Sequence, residues 1–487
     1  MRNRLHASLL LVIVIGVTVF AWIATKATVS SFTHDESFSY LQYVPDHFMD
    51  IISNQRAYSN NHVLNTLGMK YSSMVFGSSE LALRLPNLLM LLVFFTYAFL
   101  LMRDVNPLVR VSVFVLLATN TALIDFFGLA RGYGMSIGFM IMGIYHLFRS
   151  FDENKTRHLV MFNLAALLAI LANFTMVNFY LSALVVYNLM QIAESRVVLK
   201  EKFRFWRVNR VNIMLMGVLL FILYEPVRKA VKFNSFDFGG KQGFVTDTVS
   251  SLIFHGFTNI HFSTLVLTLL QITLVVVVII PVFIIVVKFL RSDPEFFRRF
   301  RALVLVSLVL VAISLETVLQ HYFMKTDYLV GRFSLFLFPL LVLNAGLLMD
   351  YGSTLRCRGV FLSFAVLLAM LSASNFYVNR NLHTCAEWSY DSGTKDAISA
   401  LADYHQAHGN LKQDSILLGV NWLFEPTVNF YRETRKLTWL IPVDRKDHSA
   451  DADFLYLSKD DSGLIRDRSQ VVVFSSPEAN TILLKVR

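Results

Sequence analysis

The chain has 487 residues, of which 55% are hydrophobic and only 16% are charged. A soluble protein of this length has about 25% charged residues, so the composition excludes an ordinary soluble domain and indicates a polytopic membrane protein. The formal net charge is +10, but the basic residues are spread between apolar runs, which excludes a nucleic-acid-binding surface.

Apolar runs of about 20 residues predict membrane-spanning helices. The first run is followed by no small-residue cleavage site, so we expect it to be a retained span and not a signal peptide. The eleven predicted spans are residues 8–28, 81–102, 109–127, 132–149, 158–174, 176–194, 211–228, 263–288, 302–320, 333–350 and 359–377.

Lysine and arginine residues concentrate in alternate connections between these spans. The positive-inside rule places those connections, and with them the N-terminus, in the cytoplasm. An odd number of spans then places the C-terminus outside, in a multi-pass protein of the inner (plasma) membrane. The two cysteines, Cys357 and Cys385, fall on opposite sides of the membrane, so no disulfide is expected.

Three predicted outer segments are long: residues 29–80, residues 229–262 with a glycine-containing turn at 238–241, and the tail from 381. In the first, Asn60 and Asn61 precede a helical pattern, which predicts a short asparagine-capped helix on the membrane surface. The tail predicts a small α/β domain over 381–487, outside the membrane and beyond a transmembrane domain over 1–380. Its β-like runs are 415–420, 437–441, 454–457, 471–474 and 481–486, and its helical patterns are 394–405 and 422–431.

Two adjacent carboxylates, Asp35 and Glu36, follow the first span directly. A carboxylate pair at the lipid–water boundary indicates chemistry on a membrane-anchored substrate, and a solvated turn is the alternative. A carboxylate can act as general base toward a hydroxyl group. His34 beside the pair leaves a divalent metal site with Asp35 and Glu36 as an alternative, although no metal-type spacing recurs elsewhere.

Basic and aromatic residues collect on the same predicted face. Because arginines bind phosphate through paired N–H groups, the set is predicted to bind a lipid phosphate at headgroup depth. Arg131 is the strongest candidate, since it lies in a very short turn with no acidic residue nearer than Asp125. Snorkelling to the interface is the alternative for Arg84 and Arg332, and a cap or packing role is the alternative for His62. The predicted substrate-binding residues are His62, Arg131, Tyr133, Arg228, Lys229, His321 and Arg332.

Four short motifs follow the carboxylate pair in order. They are Asn60-Asn61-His62-Val63-Leu64-Asn65-Thr66-Leu67, Gly77-Ser78-Ser79-Glu80-Leu81-Ala82-Leu83-Arg84-Leu85-Pro86, Ala130-Arg131-Gly132-Tyr133, and Gly331-Arg332-Phe333 with Pro339 in the same span. Over residues 1–350 this order resembles the C-type (GT-C) membrane glycosyltransferases, and among them the protein O-mannosyltransferase and aminoarabinose transferase group. The resemblance implies a mainly α fold with about eleven transmembrane helices and a long first outer loop.

The resemblance also implies a sugar donor linked to polyprenyl phosphate, with Asp35 as the base that activates the acceptor, Glu36 as its partner and Arg131 as the phosphate contact. The predicted reaction transfers the sugar to a hydroxyl of a lipid, polysaccharide or protein acceptor by an inverting displacement. A retaining reaction with Glu36 as nucleophile stays open. One departure concerns His62, which precedes Val63 and Leu64 where many relatives have His-Pro-Pro.

Two other functions compete with this prediction. A transporter of lipid-linked sugars is expected to have charges or helix breaks deep within its spans and two related halves, whereas here most ionisable residues lie at span ends. A polysaccharide polymerase or ligase usually has its important basic residues in a large loop in the middle of the chain. Here the most informative loop is the first.

Overall fold

The structure is a computed structural model that describes residues 2–56, 60–152, 155–198, 205–232, 239–257, 260–408, 415–446, 451–464 and 471–486. It is mainly helical. The α-helices are α1 (Arg2–Val29), α2 (His34–Tyr43), α3 (Phe48–Ile52), α4 (Val63–Phe76), α5 (Glu80–Leu101), α6 (Pro107–Ala118), α7 (Thr121–Asp125), α8 (Gly132–Arg149), α9 (Lys155–Ala172), α10 (Met176–Ala193), α11 (Phe205–Lys232), α12 (Ser250–Gly256), α13 (Thr264–Leu290), α14 (Pro294–Arg299), α15 (Arg301–Met324), α16 (Leu337–Gly352), α17 (Arg358–Asn379), α18 (Thr394–Ala407) and α19 (Glu425–Thr434).

Eight helices in the described part of the chain are long and apolar enough to cross a membrane, which supports a multi-pass membrane protein. They are Ala7–Val29, Glu80–Leu101, Lys155–Ala172, Met176–Val197, Phe205–Lys229, Thr264–Leu290, Arg301–Met324 and Arg358–Asn379. The three other predicted spans coincide with α6, α8 and α16, of which α6 and α16 are apolar but shorter. The total of eleven spans and the orientation of the termini therefore remain predictions.

The predicted continuous span 109–127 was wrong, because the helix breaks in its second half. Helix α6 ends at Ala118, and a new helix, α7, begins at Thr121. Asn120 causes the restart, since its side-chain oxygen accepts the N–H of Leu123 at 2.8 Å and caps α7. The break leaves residues 126–131 as an irregular turn before α8.

The first outer loop contains helices α2, α3 and α4. The helix predicted after Asn60 is confirmed as α4, but its N-cap residue is His62, which makes no side-chain cap bond. Asn61 instead donates to the carbonyl of Ile51 at 3.0 Å. Large apolar side chains along the second half of α4 are exposed, as expected for a helix at a membrane surface: Tyr71, Met74, Val75 and Phe76.

The C-terminal residues form a four-stranded mixed sheet with α18 and α19. The strands are β1 (Leu418–Val420), β2 (Phe454–Ser458), β3 (Val471–Ser476) and β4 (Thr481–Lys485), in the order β1-β2-β4-β3. β1 is parallel to β2, and the other two pairs are antiparallel. The strand predicted at 437–441 was wrong, since that segment makes only an isolated bridge between Leu440 and Ile416. Phe238 of the predicted glycine turn lies outside the described residues.

The described part of the chain contains three clusters of buried hydrophobic residues, and the two larger ones organise these elements. One lies among the long apolar helices, and the other joins the first outer loop to the C-terminal sheet and helices. In the second core Phe32, just before α2, is fully buried and stacks on Phe430 of α19 with ring centroids 4.2 Å apart. The C-terminal residues therefore pack directly on the loop that carries Asp35.

Candidate functional site

Thr33 and Glu36 begin helix α2 with two reciprocal hydrogen bonds. The hydroxyl of Thr33 accepts the Glu36 N–H at 3.4 Å, and the Glu36 carboxylate accepts the Thr33 N–H at 2.9 Å. This capping box gives partners to two N–H groups that the start of a helix otherwise leaves unbonded. Asp35 is thereby fixed in the first turn, where the partial positive charge of the helix N-terminus stabilises a carboxylate.

Glu36 also forms an ion pair with Arg84 of α5. The guanidinium Nε donates to Oε1 at 2.8 Å and Nη2 donates to Oε2 at 2.7 Å, and neither side chain has any solvent exposure. The remaining guanidinium N–H groups donate to carbonyl oxygens of Ala27, Ser30 and Ser31, at the end of α1 and just beyond it. The snorkelling interpretation of Arg84 was wrong, because this side chain is buried and joins α5 to the first outer loop.

The bonds of Glu36 leave it no free lone pair for a substrate. Beyond the bonds from Arg84 and Thr33, its Oε1 accepts the N–H of Ala130 at 2.5 Å. A carboxylate offers about four acceptor positions, and all four are occupied here. This geometry favours a positioning role for Glu36. Its hydrogen bonds hold the first turn of α2, which contains Asp35, against the turn before α8.

The turn 126–131 is fixed by two buried asparagines. Nδ2 of Asn87 in α5 lies within hydrogen-bonding distance of the carbonyl oxygens of Phe126, Leu129 and Arg131. Nδ2 of Asn65 in α4 donates to the carbonyl of Ala130 at 2.7 Å. Neither asparagine was predicted as a functional residue. The only signal for Asn87 is that it follows Arg84 by three residues, which places both on one face of α5.

The Asp35 carboxylate lies between two guanidinium groups, and we call Asp35, Arg131 and Arg332 the central cluster. Oδ2 of Asp35 is 3.4 Å from Nη2 of Arg131 and 3.3 Å from Nη1 of Arg332. Oδ2 and the Nε of Arg131 are both buried, and neither has a hydrogen-bond partner among the described residues. Buried polar atoms normally have partners, so these two atoms indicate where a polar ligand would complete the site.

Arg131 is only 2% exposed and is oriented by bonds to the first outer loop. Its Nη1 donates to the hydroxyl of Ser39 at 3.1 Å and to the carbonyl of Asn60 at 3.2 Å. Tyr133 lies between the two arginines, with its ring centre 5.9 Å from the guanidinium carbon of Arg131 and 6.0 Å from that of Arg332. The structure thus brings together three of the seven predicted binding residues around Asp35.

Arg332 follows a glycine whose conformation few other residues adopt. Gly331 has φ +52°, in the left-handed region that favours glycine. Its N–H donates to the hydroxyl of Ser251 at 2.7 Å, and its carbonyl accepts from Nε2 of His255 at 2.8 Å. Helix α12 therefore positions the turn Gly331–Phe333.

Two residues of the C-terminal part complete the surroundings of Arg332. Its guanidinium lies 5.0 Å from the ring centre of the buried Trp388. The Glu387 carboxylate lies close to the same turn, since a Cβ built on Gly331 would be 3.5 Å from its Oε1. Sequence reasoning missed both residues because no motif connects them to the first outer loop.

His62 is buried beside the central cluster in one defined tautomer. Its Nδ1 is 2.7 Å from the carbonyl oxygen of Ala172, so Nδ1 carries the proton and Nε2 is an acceptor. Burial and the nearby arginines hold the pKa of His62 well below its usual value. Its ring packs against Tyr133 at 5.0 Å between centroids. The same Ala172 carbonyl leaves room only for glycine at position 132, because a Cβ on Gly132 would lie 1.8 Å from the carbonyl oxygen.

The other three predicted binding residues have contacts elsewhere. Arg228 is largely exposed and pairs with Glu225 one turn earlier on its own helix. Lys229 donates to the carbonyl of Ser53 at 2.9 Å, and His321 bonds to a carbonyl five residues further along the chain. None of these three contacts is with a residue of the central cluster. A role of these residues in substrate binding stays a prediction.

The candidate metal ligands point in three directions. Nδ1 of His34 is 2.7 Å from the carbonyl of Leu423, Glu36 is bonded to Arg84, and Asp35 faces the central cluster. Among the described residues no group of three or more His, Cys, Asp or Glu side chains could hold a metal ion. The structure therefore does not bring His34, Asp35 and Glu36 together as one set of metal ligands.

Comparisons with solved structures found proteins similar to this chain. The chain is similar to ArnT from Cupriavidus metallidurans in the apo state, with a TM-score of 0.53 and 13% identity over 98% of this chain and 97% of that one. For the same protein bound to undecaprenyl phosphate the TM-score is 0.51, with the same identity and coverage. The archaeal oligosaccharyltransferase AglB from Archaeoglobus fulgidus, in complex with an inhibitory peptide and a dolichol-phosphate, matches at a TM-score of 0.47 and 11% identity over 93% of this chain and 69% of that one.

No protein-family model and no curated protein sequence matches the chain. The chain nevertheless shares the fold of ArnT over nearly its whole length. The resemblance predicted from the sequence is thus confirmed at the level of the fold.

Proposed function

We propose that this protein is a membrane glycosyltransferase that moves a sugar from a polyprenyl-phosphate-linked donor to a hydroxyl of a lipid, polysaccharide or protein acceptor. The observation that carries the proposal is the Asp35 carboxylate between Arg131 and Arg332, with buried polar atoms left unbonded. The shared fold with ArnT, one structure of which is bound to undecaprenyl phosphate, supports the class of donor.

The reaction is proposed for the outer face of the inner (plasma) membrane. The concentration of lysine and arginine in alternate connections between the spans supports this orientation, with the N-terminus inside. Residues 1–380 would form the transmembrane catalytic domain, and residues 381–487 an extracytoplasmic α/β domain. The end of α17 at Asn379 agrees with that boundary.

In the proposed reaction Arg131 and Arg332 bind the donor phosphate. Planar guanidinium groups donate paired N–H bonds to phosphate oxygens. As the bond between the sugar and the phosphate oxygen breaks, negative charge grows on that oxygen, and the two cations stabilise it. Because phosphate is already a good leaving group, the reaction needs no separate general acid.

Asp35 is proposed as the general base. Its Oδ2 accepts the proton of the acceptor hydroxyl while that oxygen forms a bond to the anomeric carbon and polyprenyl phosphate leaves. A single displacement of this kind inverts the anomeric configuration. A retaining reaction needs a second carboxylate as nucleophile, and the four hydrogen bonds to Glu36 weigh against that role.

The test uses the purified full-length protein with two extracts of its source cells, the polyprenyl-phosphate lipid fraction and the envelope glycolipids. We expect free polyprenyl phosphate together with one acceptor species whose mass rises by one sugar residue. The same mass difference should appear between envelope glycolipids of cells with and without the protein. A ladder of added sugar masses would favour the polymerase alternative, and no release of polyprenyl phosphate would contradict the proposal.

A further inference from the structure

Asp391, in the segment after α17, contacts the first turn of α2. Its Oδ2 accepts the backbone N–H of His34 at 2.6 Å, and its Oδ1 accepts the hydroxyl of Thr394 at 3.2 Å. Asp391 is 1% exposed and Thr394 is fully buried. The bonded N–H belongs to the residue directly before Asp35.

The start of α2 therefore depends on a residue from the other end of the chain. A helix leaves its first N–H groups without intrahelical partners. Thr33 and Glu36 satisfy each other in the capping box, and Asp391 supplies the acceptor for His34. A buried N–H that loses its acceptor is unfavourable, so without Asp391 the first turn is expected to shift or fray.

We infer that Asp391 is a positioning residue for the transfer reaction: by accepting the His34 N–H, it fixes the first turn of α2 and so the Asp35 carboxylate between Arg131 and Arg332. The inference rests on the proposed function. Asp391 touches none of the proposed reacting atoms and acts through the backbone.

Two further bonds to the C-terminal residues hold the same stretch of the chain. The hydroxyl of Tyr431 accepts the N–H of Phe32 at 2.7 Å, and Nδ1 of His34 bonds to the carbonyl of Leu423 at 2.7 Å. The stretch before Asp35 is thus held at three points by residues beyond 386, twice through its backbone and once through the His34 side chain. Of these, the Asp391 bond is closest to Asp35 along the backbone.

The chemistry of Asp391 agrees with an acceptor role that needs no negative charge. Burial, and to a smaller extent the nearby Asp35, raise the pKa of Asp391 to about 8, while the bonds from His34, Thr427 and Thr394 lower it. The half-buried Tyr390 and the buried Tyr456 lie in the same surroundings. A neutral carboxyl and an asparagine amide have nearly the same shape and both offer one carbonyl oxygen, so Asn is the conservative replacement.

The first experiment compares Asp391→Ala, Asp391→Asn and Tyr456→Phe in the purified full-length protein, with the polyprenyl-phosphate lipid fraction of the source cells as donor. Tyr456 is the matched control, because its hydroxyl bonds to Thr394 and Thr481 in the same core but not to α2. A misplacement of about 1 Å can cost about 100-fold in rate. We therefore expect Asp391→Ala to lower kcat by about 10- to 100-fold, with Asp391→Asn and Tyr456→Phe within about threefold of the unmodified protein.

Binding separates positioning from a general loss of structure. Undecaprenyl phosphate alone is the probe, and we expect its Kd and the donor KM to change by less than about threefold in Asp391→Ala, since Arg131 and Arg332 are kept. Unchanged kcat in Asp391→Ala, equal defects in the Ala and Asn variants, or a parallel loss of undecaprenyl phosphate binding would each overturn the inference. If the unmodified protein itself releases no polyprenyl phosphate, the proposed function fails instead.

A second pair of variants tests the same bond from the donor side, and it decides the question if Asp391→Ala does not fold. His34→Pro deletes the N–H, and proline is well tolerated at the first position of a helix. His34→Ala is the reference, because like proline it removes the ring and its bond to Leu423 but it keeps the N–H. We expect His34→Pro to have a kcat about 10-fold or more below that of His34→Ala. Where Asp391→Ala folds, the double variant of His34→Pro with Asp391→Ala should be no worse than His34→Pro. Equal kcat in the Pro and Ala variants, or fully additive losses in the double variant, would contradict the inference.

Discussion

Glu36 and Arg84 form a doubly bonded ion pair with no solvent exposure, and this pair connects the two halves of the candidate site. On one side, Glu36 belongs to the capping box that places Asp35. On the other side, its carboxylate accepts the N–H of Ala130, directly before Arg131. The pair therefore sets the distance between Asp35, the proposed base, and Arg131, which is proposed to bind the donor phosphate.

Breaking this pair should destabilise the protein. Arg84→Met leaves the buried Glu36 carboxylate without its cation, and removing one partner of a buried ion pair costs about 3–5 kcal/mol. We expect a clear fall in the thermal unfolding temperature in detergent. The matched control is Arg56→Met, which breaks the exposed pair with Asp46 and should cost less than about 1 kcal/mol. Equal unfolding temperatures for the two variants would show that the buried pair stabilises the protein no more than the exposed pair does.

Asp35→Asn should remove activity without removing the fold. The substitution keeps the shape of the side chain but not its capacity to accept a proton, and loss of a general base typically lowers the rate by about 10²–10⁴-fold. The measurement is the rate of polyprenyl phosphate release, with Asp46→Asn in the same loop as control. Glu36→Gln should instead lower the yield of folded protein, because it removes the charge that compensates Arg84. A fully active Asp35→Asn variant would exclude Asp35 as the base.

The sequence predicts correctly those features that depend on a short, continuous stretch of residues. Apolar runs mark the long helices, and the adjacent carboxylates and the Arg131 turn mark the site, because each is a short pattern in the chain. The break at Asn120 was missed because a cap inside an apolar run hardly lowers its hydropathy. The assumed strand at 437–441 failed because β-like composition does not supply a neighbouring strand.

The roles of individual side chains depend on contacts that the sequence does not contain. Asp35 and Glu36 are equivalent in a sequence, yet one faces two arginines and the other is saturated by Arg84 and Ala130. Arg84 and Arg131 both lie near the start of a predicted span, and only the fold distinguishes a structural cation from a proposed phosphate-binding residue. Trp388 and Asp391 come from the far end of the chain, so only tertiary structure brings them to the site.

The two arginines of the central cluster should differ from lysine in phosphate binding. A lysine presents one compact charge and lacks the planar pair of N–H donors. We expect Arg131→Ala and Arg332→Ala to weaken undecaprenyl phosphate binding by about 10- to 100-fold, since a hydrogen bond to a charged group contributes about 1.5–3 kcal/mol, and the Lys variants to lie between Ala and Arg. Arg56→Ala in the first outer loop is the control. Unchanged affinity in both Ala variants would remove the arginines from the phosphate site.

Asp391 should make the stability of the protein depend on pH. Its pKa is raised to about 8 in the folded state, above the ordinary value of 3.8, so the folded protein binds more protons than the unfolded chain between these values. Stability should therefore fall as the pH rises from about 4 to 8. Asp391→Asn should flatten this part of the profile, measured as unfolding temperature against pH. Identical slopes for the two proteins would contradict the raised pKa.

The proposed orientation can be tested with the two native cysteines. Cys357 is exposed between α16 and α17, in a connection expected in the cytoplasm, whereas Cys385 is buried and the pKa of its thiol is raised to about 12. Because the thiolate is the reactive form, Cys385 should react very slowly with a maleimide. We expect a membrane-impermeant maleimide to label intact spheroplasts poorly and permeabilised ones at a single position, with the label lost in Cys357→Ser. Strong labelling of Cys357 in intact spheroplasts would place this connection outside, and the central cluster would then face the cytoplasm.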